Sequence, residues 1–248
     1  MGDEIIGIHP VYEALQSGSR SIDRIYVARE SRSPKLDRIS KLARRQGIPV
    51  RRDARTALDR LVPGGQRHQG VVAIAGIVAY RPLEELIEVS DGPLVILDEA
   101  QDPQNLGAVI RSAEAAGSSG LILSDRRTAP LSTAVARASA GAVDHLPIAR
   151  VPNLVSAIKC IKQRGIWVVG VDPSAETTWT EFDFRVPVAL VLGAEHSGIR
   201  RLVRETCDVL IRFPMLGRIE SLNLSVAAGL VLYEVVRQRR SWEGNNLA

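Results

Sequence analysis

The sequence predicts an α/β protein, with a small α/β unit first and a larger parallel sheet after it. Two observations carry this. From Leu94 onward, short apolar runs alternate with helix-length segments, the pattern of a parallel sheet covered on both faces. Before residue 78 the same alternation is shorter and broken by Pro and Gly. A chain of 248 residues is long enough for one large domain or two small ones with a sizeable core.

Residues 9–18 read as a short helix, with Pro10 in its first turn and Gly18 past its end. Residues 22–28 read as a strand. Residues 34–46 are helical, with Leu36, Ile39, Leu42 and Ala43 on one face and Gly47 as the stop. Residues 48–50 form a short strand, and Asp53 caps a helix ending near Leu61. Residues 63–70 are a loop, and 71–78 a buried strand. Residues 79–92 hold a short amphipathic helix, 83–89, between Pro82 and Pro93, and read as a link. The domains expected are therefore 1–78, a linker at 79–92, and 93–248. In the last of these, strands are expected at 94–97, 120–123, 145–148, 166–171, 188–192 and 209–211. Helices are expected at 106–116, 131–138, 153–163, 199–206 and 222–240.

Composition narrows the class. With 45% hydrophobic and 24% charged residues, the chain reads as a globular protein. There is no low-complexity tract and no solenoid repeat. The first residues lack a basic stretch followed by an apolar one, so no secretory signal is expected. The longest apolar run, residues 71–80, is too short to cross a bilayer. Cys160 and Cys207 form no CxxC pair, which argues against a disulfide scaffold or a cysteine zinc site and suits the cytoplasm. Neither a metal nor a membrane is expected.

The charge is uneven. Residues 1–80 hold 14 Lys and Arg against 8 Asp and Glu, while the rest holds 18 against 20. Excess positive charge in the first third attracts phosphate backbones. Arg44, Arg45, Arg51 and Arg52 are the candidates there, alongside the plainer reading of a solvated surface.

Ligands of such sheets bind at the carboxyl ends of the strands, and three strand ends carry polar chemistry. At the first, Asn105 opens a helix as its expected N-cap, and Arg111 follows six residues on. At the second, Gly193-Ala194-Glu195-His196-Ser197-Gly198 forms a glycine-bounded turn before a helix, where free N–H groups and close backbone approach favour a ligand. At the third, Phe213-Pro214-Met215-Leu216-Gly217 leads to Ser221-Leu222-Asn223-Leu224-Ser225. Ser221 or Asn223 would cap the helix that follows, yet three hydroxyl and amide side chains in five positions exceed what one cap requires. The GxSxG elbow, Walker A loop, HExxH and GxGxxG patterns are absent, which disfavours a nicotinamide-dependent enzyme.

These three segments, in this order, resemble the SpoU family of RNA 2'-O-ribose methyltransferases, within the SPOUT superfamily. The family shows an Asn-x5-Arg motif, a Gly-x-Glu-Gly-x-Gly motif, and a Pro-Met-x-Gly…Ser-Leu-Asn-x-Ser motif. Here they stand as Asn105…Arg111, Gly193…Gly198, and Pro214…Ser225. The segment from Ile6 to Leu15 is also similar to the substrate-binding domain of the ribosomal RNA branch. Two positions depart from the pattern: His196 replaces a glycine, and Phe213 replaces an aliphatic residue.

The resemblance implies a deep trefoil knot in the last third of the chain and a homodimer with its pocket near the subunit interface. It implies S-adenosyl-L-methionine bound at Leu192, Gly193, Ala194, Ile211, Phe213, Met215, Gly217 and Leu222. It implies catalysis through Arg111, Asn105, Glu195, Ser221 and Asn223. A guanidinium is not normally deprotonated, so Arg111 reads better as a clamp on an RNA phosphate or on developing oxyanion charge. Glu195 would orient Arg111 or join the proton path, and Ser221 and Asn223 would position the reactants. The implied activity is 2'-O-methylation of a ribose in ribosomal RNA, at a guanosine of the large subunit. A transfer-RNA methyltransferase, a resistance-type ribosomal RNA methyltransferase and an inactive RNA-binding assembly factor are the alternatives.

Overall fold

A computed structural model of the chain describes residues 3–18, 20, 22–31, 33–62, 67–76, 78–88, 91–194 and 198–245. In chain order its elements are β1 (Asp3–Ile6), α1 (Ile8–Ser17), β2 (Ile22–Ala28), α2 (Pro34–Arg45), β3 (Val50–Asp53), α3 (Arg55–Leu61) and β4 (Val71–Ala75). Then come α4 (Leu83–Glu88), β5 (Leu94–Asp98), α5 (Pro103–Ala115), β6 (Gly120–Ser124), α6 (Thr133–Ala138), a 3-10 turn (Ala142–Asp144) and β7 (Ile148–Val151). The chain ends with α7 (Leu154–Gln163), β8 (Trp167–Val171), β9 (Thr177–Thr178), β10 (Val188–Gly193), α8 (Arg201–Thr206), β11 (Val209–Arg212) and α9 (Leu224–Asn245). Two compact units result: 1–79 with 130–145, and 80–129 with 146–248.

The first unit is built on a sheet ordered β1-β4-β2-β3. β4 runs antiparallel to both β1 and β2, and β2 and β3 are parallel. The two-residue period of a strand sends neighbours to opposite faces. Ile5, Val71 and Ala73 meet Val11, Leu15, Leu36, Ile39 and Ala43 of α1 and α2 on one face. Ile6 and Val72 meet Leu58 and Val62 of the α3 region on the other. Strand β1 was not expected from sequence. It is four residues long, and only pairing with β4 defines it.

The second unit has, among the described residues, seven parallel strands ordered β7-β6-β5-β10-β8-β11-β9. The central strands are buried along their length, as expected for a sheet covered on both faces. One face packs against α4, α7 and α8 through Leu86, Leu154, Ile158, Ile161 and Val203. On α9, Leu224, Ala228, Val231, Leu232 and Val235 are buried at helical spacing.

Three expectations shift. The helix expected as part of a link buries Leu86 and Ile87 in the second unit's core, and Arg81 N donates to Ile148 O at 2.8 Å. Residues 130–145, expected with the second domain, cluster with the first unit. The strand expected at 145–148 lies instead at Ile148–Val151. Pro147 has no N–H to give a ladder, and it contributes only its carbonyl, to Leu121 N at 2.9 Å.

Candidate active site

Because the strands of the second unit are parallel, their carboxyl ends share one edge of the sheet. Gly193 on β10 pairs in register with Asp98 on β5, Leu192 with Val171 on β8, and Val171 with Ile211 on β11. Segments far apart in sequence are thereby brought together. A cavity of about 250 Å³ opens at this edge.

Its lining comes from four places. Val171 ends β8, and Asp172 and Pro173 follow it. Leu192, Gly193, Ala194 and Gly198 end β10. Phe213 and Met215 follow β11. Glu220, Ser221, Leu222, Leu224 and Ala227 lead into α9. Of the expected cofactor residues, Leu192, Gly193, Ala194, Phe213, Met215 and Leu222 line the cavity. Ile211 is fully buried in the sheet, and Gly217 is exposed. Neither belongs to the lining.

Gly193 is required by close backbone approach. A Cβ there would fall on the carbonyl group of Gly198, so no side chain fits. Ala194 N donates to Gly198 O at 3.1 Å and Gly198 N to Ala194 O at 2.9 Å. These bonds join the two residues directly, and Gly198 has a φ of 63°. Glu195 and His196, between Ala194 and Gly198 in sequence, lie outside the described residues.

The cap assignment at α5 differs from expectation. Asp102, not Asn105, is the N-cap, accepting from Gln104 N at 3.0 Å and Asn105 N at 3.4 Å. An anionic cap suits the positive helix end better than a neutral amide. The Asn105 Oδ1 accepts from Asn223 Nδ2 at 3.0 Å. Asn223 also caps α9: its Oδ1 accepts from Ser225 N at 2.9 Å and Ser225 Oγ at 2.6 Å. The pair therefore joins the starts of α5 and α9. Ser221 is exposed and lines the cavity. Arg111 is exposed on α5, outside the cavity lining, and its side chain makes no hydrogen bond or ion pair with another described residue.

Three acidic groups escaped the sequence reading. Asp98, fully buried at the end of β5, accepts from Arg200 N at 2.8 Å and Arg200 Nε at 2.8 Å, and its Oδ1 forms an ion pair with Nη2 at 2.6 Å. This holds the residue two positions after Gly198, and the bond to Asp98 pushes the Arg200 guanidinium above its ordinary value. Next to it, Glu99 is buried with a φ of 75°, a strained conformation for a side-chain-bearing residue, and accepts from Arg127 Nη1 at 2.8 Å. Asp172, at the cavity wall, accepts from Ser174 N at 2.9 Å and Ser174 Oγ at 2.6 Å. The available signal was an acid directly after a buried apolar strand, at Leu97-Asp98 and Val171-Asp172.

The apolar wall of Leu192, Phe213, Met215 and Leu222 suits a planar base, with Trp179 packed behind Phe213 at 5.1 Å between ring centres. The carboxylates of Asp172 and Glu220 on the same cavity suit a cationic group. These residues fit S-adenosylmethionine, which carries both. In the first unit, Arg44, Arg45, Arg51 and Arg52 are all exposed, the first two in the last turn of α2 and the others on β3. Arg52 lies 3.5 Å from Asp37.

The parallel sheet and its strand-end cavity suit a methyltransferase that uses S-adenosylmethionine, and the comparisons add RNA as its substrate class. Residues 92–233 match the SpoU rRNA Methylase family, and residues 5–80 match the domain described as RNA 2'-O ribose methyltransferase substrate binding. YacO of Bacillus subtilis, placed in the TrmH family of tRNA/rRNA methyltransferases, is 43% identical, covering 96% of each chain. RlmB of Xylella fastidiosa, a 23S rRNA (guanosine-2'-O-)-methyltransferase, is 42% identical over 95% of this chain and 96% of its own. Among solved structures, AviRb of Streptomyces viridochromogenes in complex with S-adenosylmethionine superposes with a TM-score of 0.82 at 30% identity, covering 96% of this chain and 90% of that one. The chain belongs to the SpoU rRNA methylase family. It is an S-adenosylmethionine-dependent RNA 2'-O-methyltransferase.

Proposed function

We propose that this chain methylates the 2'-hydroxyl of a guanosine in large-subunit ribosomal RNA, in the cytoplasm. The observation that carries the substrate is the near-full-length similarity to RlmB, which extends through the substrate-binding domain.

S-adenosylmethionine supplies an electrophilic methyl group on a sulfonium. The protein's part is to hold a ribose hydroxyl close to that carbon and in line with the leaving sulfur, which alone contributes several kcal/mol. Leu192, Gly193, Ala194, Phe213, Met215 and Leu222, which line the cavity, would hold the cofactor. The hydroxyl would pass its proton to Glu195 or to water as its oxygen takes the methyl group and S-adenosylhomocysteine leaves, so partial negative charge would develop on that oxygen. Arg111 stabilises that charge or clamps the adjacent phosphate. Asn105 and Asn223 keep the α5 and α9 ends in register for it, and Ser221 faces the reactants. Glu195 orients Arg111 or takes part in the proton path.

The same reading includes a trefoil knot in the last third of the chain. It is supported by the placement of β10 between β5 and β8, with β11 beyond β8. It also includes a homodimer. Val226, Leu230 and Tyr233 recur at helical spacing on α9 and are 48%, 40% and 54% exposed, an apolar face for a second copy. α9 packs on α5, the helix that carries Arg111.

The test is to map ribose methylation across ribosomal RNA from cells with and without this protein. One large-subunit guanosine losing its 2'-O-methyl group is the expected result. A loss confined to transfer RNA would replace the substrate assignment.

A further inference from the structure

The first unit carries an open groove of about 670 Å³ between α1 and α2. Its floor includes Tyr12 and Leu42, half-buried side chains that pack on the core. Its rim is basic. Arg38, Lys41 and Arg45 all line it and are exposed. They stand three and then four residues apart on α2, so they share one face over roughly 10 Å of helix. Asp37 is the acidic member of the groove, and it lies 3.5 Å from Arg52.

One contact distinguishes this surface from a plain cationic patch. The Arg38 guanidinium carbon lies 4.8 Å from the centre of the Tyr12 ring. A planar cation is thereby held against a ring on one side while the residue stays exposed to solvent. Unpaired bases stack on arginine planes and aromatic rings, whereas bases inside a duplex cannot reach them. Lysine and arginine spaced along the adjacent helix would follow a phosphate backbone.

We propose that this groove seats an unpaired nucleotide of the RNA substrate, its base on the Tyr12-supported Arg38 and its flanking phosphates against Lys41 and Arg45. The proposal rests on the RNA-methyltransferase reading and adds a contact class to it: recognition of a single-stranded element through stacking. Gln16 and Ser33 line the same groove and offer hydrogen bonds to a base edge.

The test is fluorescence anisotropy on the full chain with a labelled oligoadenylate, with matched duplex RNA and adenosine monophosphate as competitors. Tyr12→Leu removes the ring and keeps apolar packing. Arg38→Lys keeps the charge and removes the planar face. Each should weaken oligoadenylate binding roughly tenfold, while Tyr12→Phe binds like the parent. Lys41→Gln combined with Arg45→Gln should flatten the salt dependence by about 1.4 in log–log slope. Unchanged melting and S-adenosylmethionine binding in each variant exclude a folding defect. Parent-like affinity in Arg38→Lys and Tyr12→Leu would overturn the seat, as would duplex or mononucleotide competing as well as the single strand. Absence of RNA binding in the parent protein would instead overturn the RNA-substrate reading itself.

Discussion

Arg20 and Asp144, 124 residues apart in sequence, form a two-pronged ion pair inside the first unit. Nε to Oδ1 measures 2.6 Å and Nη2 to Oδ2 3.1 Å, and the side chains are 2% and 0% exposed. Asp144 belongs to residues 130–145, which lie in sequence between β6 and β7 of the second unit yet fold with the first. His145 Nε2, 2.7 Å from Glu13 Oε2, reinforces the same attachment. Removing one partner strands a buried charge, so Asp144→Ala should cost about 3–5 kcal/mol. Replacing both, with Arg20→Met and Asp144→Leu, should recover most of that loss. Denaturant unfolding of the full chain measures both. A single-variant loss under about 1 kcal/mol would mean that the pair is solvated in solution.

Asp98 is placed to hold the chain that follows Gly198 without lining the cavity. Its two hydrogen bonds from Arg200, with the ion pair to Nη2, hold the chain just after Gly198. In Asp98→Asn the charge and one acceptor are lost. Hydrogen bonds to a charged group contribute about 1.5–3 kcal/mol, so S-adenosylmethionine should bind roughly tenfold to a hundredfold more weakly. Turnover at saturating cofactor should fall less. Calorimetric titration together with steady-state kinetics separates the two effects, and an unchanged dissociation constant would remove Asp98 from the positioning role.

Much of this architecture was legible in the sequence because it rests on local pattern. The strands expected at 94–97 and 188–192 are apolar runs of strand length that alternate with helix-length segments, and the polar turns after them marked the site edge. What was not legible depends on distant partners. β1 exists through its register with β4, and residues 130–145 join the first unit through Arg20. The Asn105 cap was misassigned because Asp102, three residues earlier, competes for the same helix end and carries a charge. Asp172 was missed because β8 ends in a short Asp-Pro-Ser turn with no glycine to draw attention to it.

The two cysteines should differ sharply. Burial pushes the Cys207 thiol up to about 12, and the neighbouring Asp208 carboxylate adds to the effect, with Lys162 opposing it. Cys160 is exposed. Only a thiolate alkylates readily, so iodoacetamide at about pH 8 should label Cys160 in the folded chain and leave Cys207 intact, as peptide mass mapping would report. The unfolded thiol ionises near 9.0 while the folded one keeps its proton up to about 12. Between those values the folded chain binds the extra proton, so stability falls as pH rises through that window. Cys207→Ala should flatten that slope, and an equal slope in the variant would mean that other groups set it.

Arg111 tests the chemistry itself. It is exposed on α5 and stands outside the cavity lining, so Arg111→Ala should leave S-adenosylmethionine affinity within about twofold, while methyl transfer falls by about a hundredfold or more if the side chain stabilises oxyanion charge. Arg111→Lys discriminates between roles. A lysine gives up its proton far more readily than an arginine. If the side chain were the proton acceptor, the lysine variant would keep substantial activity and move its pH–rate profile to lower pH. If it clamps a phosphate or an oxyanion through a planar fork, lysine restores only part of the rate and the profile stays where it was. Single-turnover methyl transfer across pH, in the parent and both variants, measures this. We expect partial rescue with an unshifted profile, and a shifted one would return the proton to Arg111.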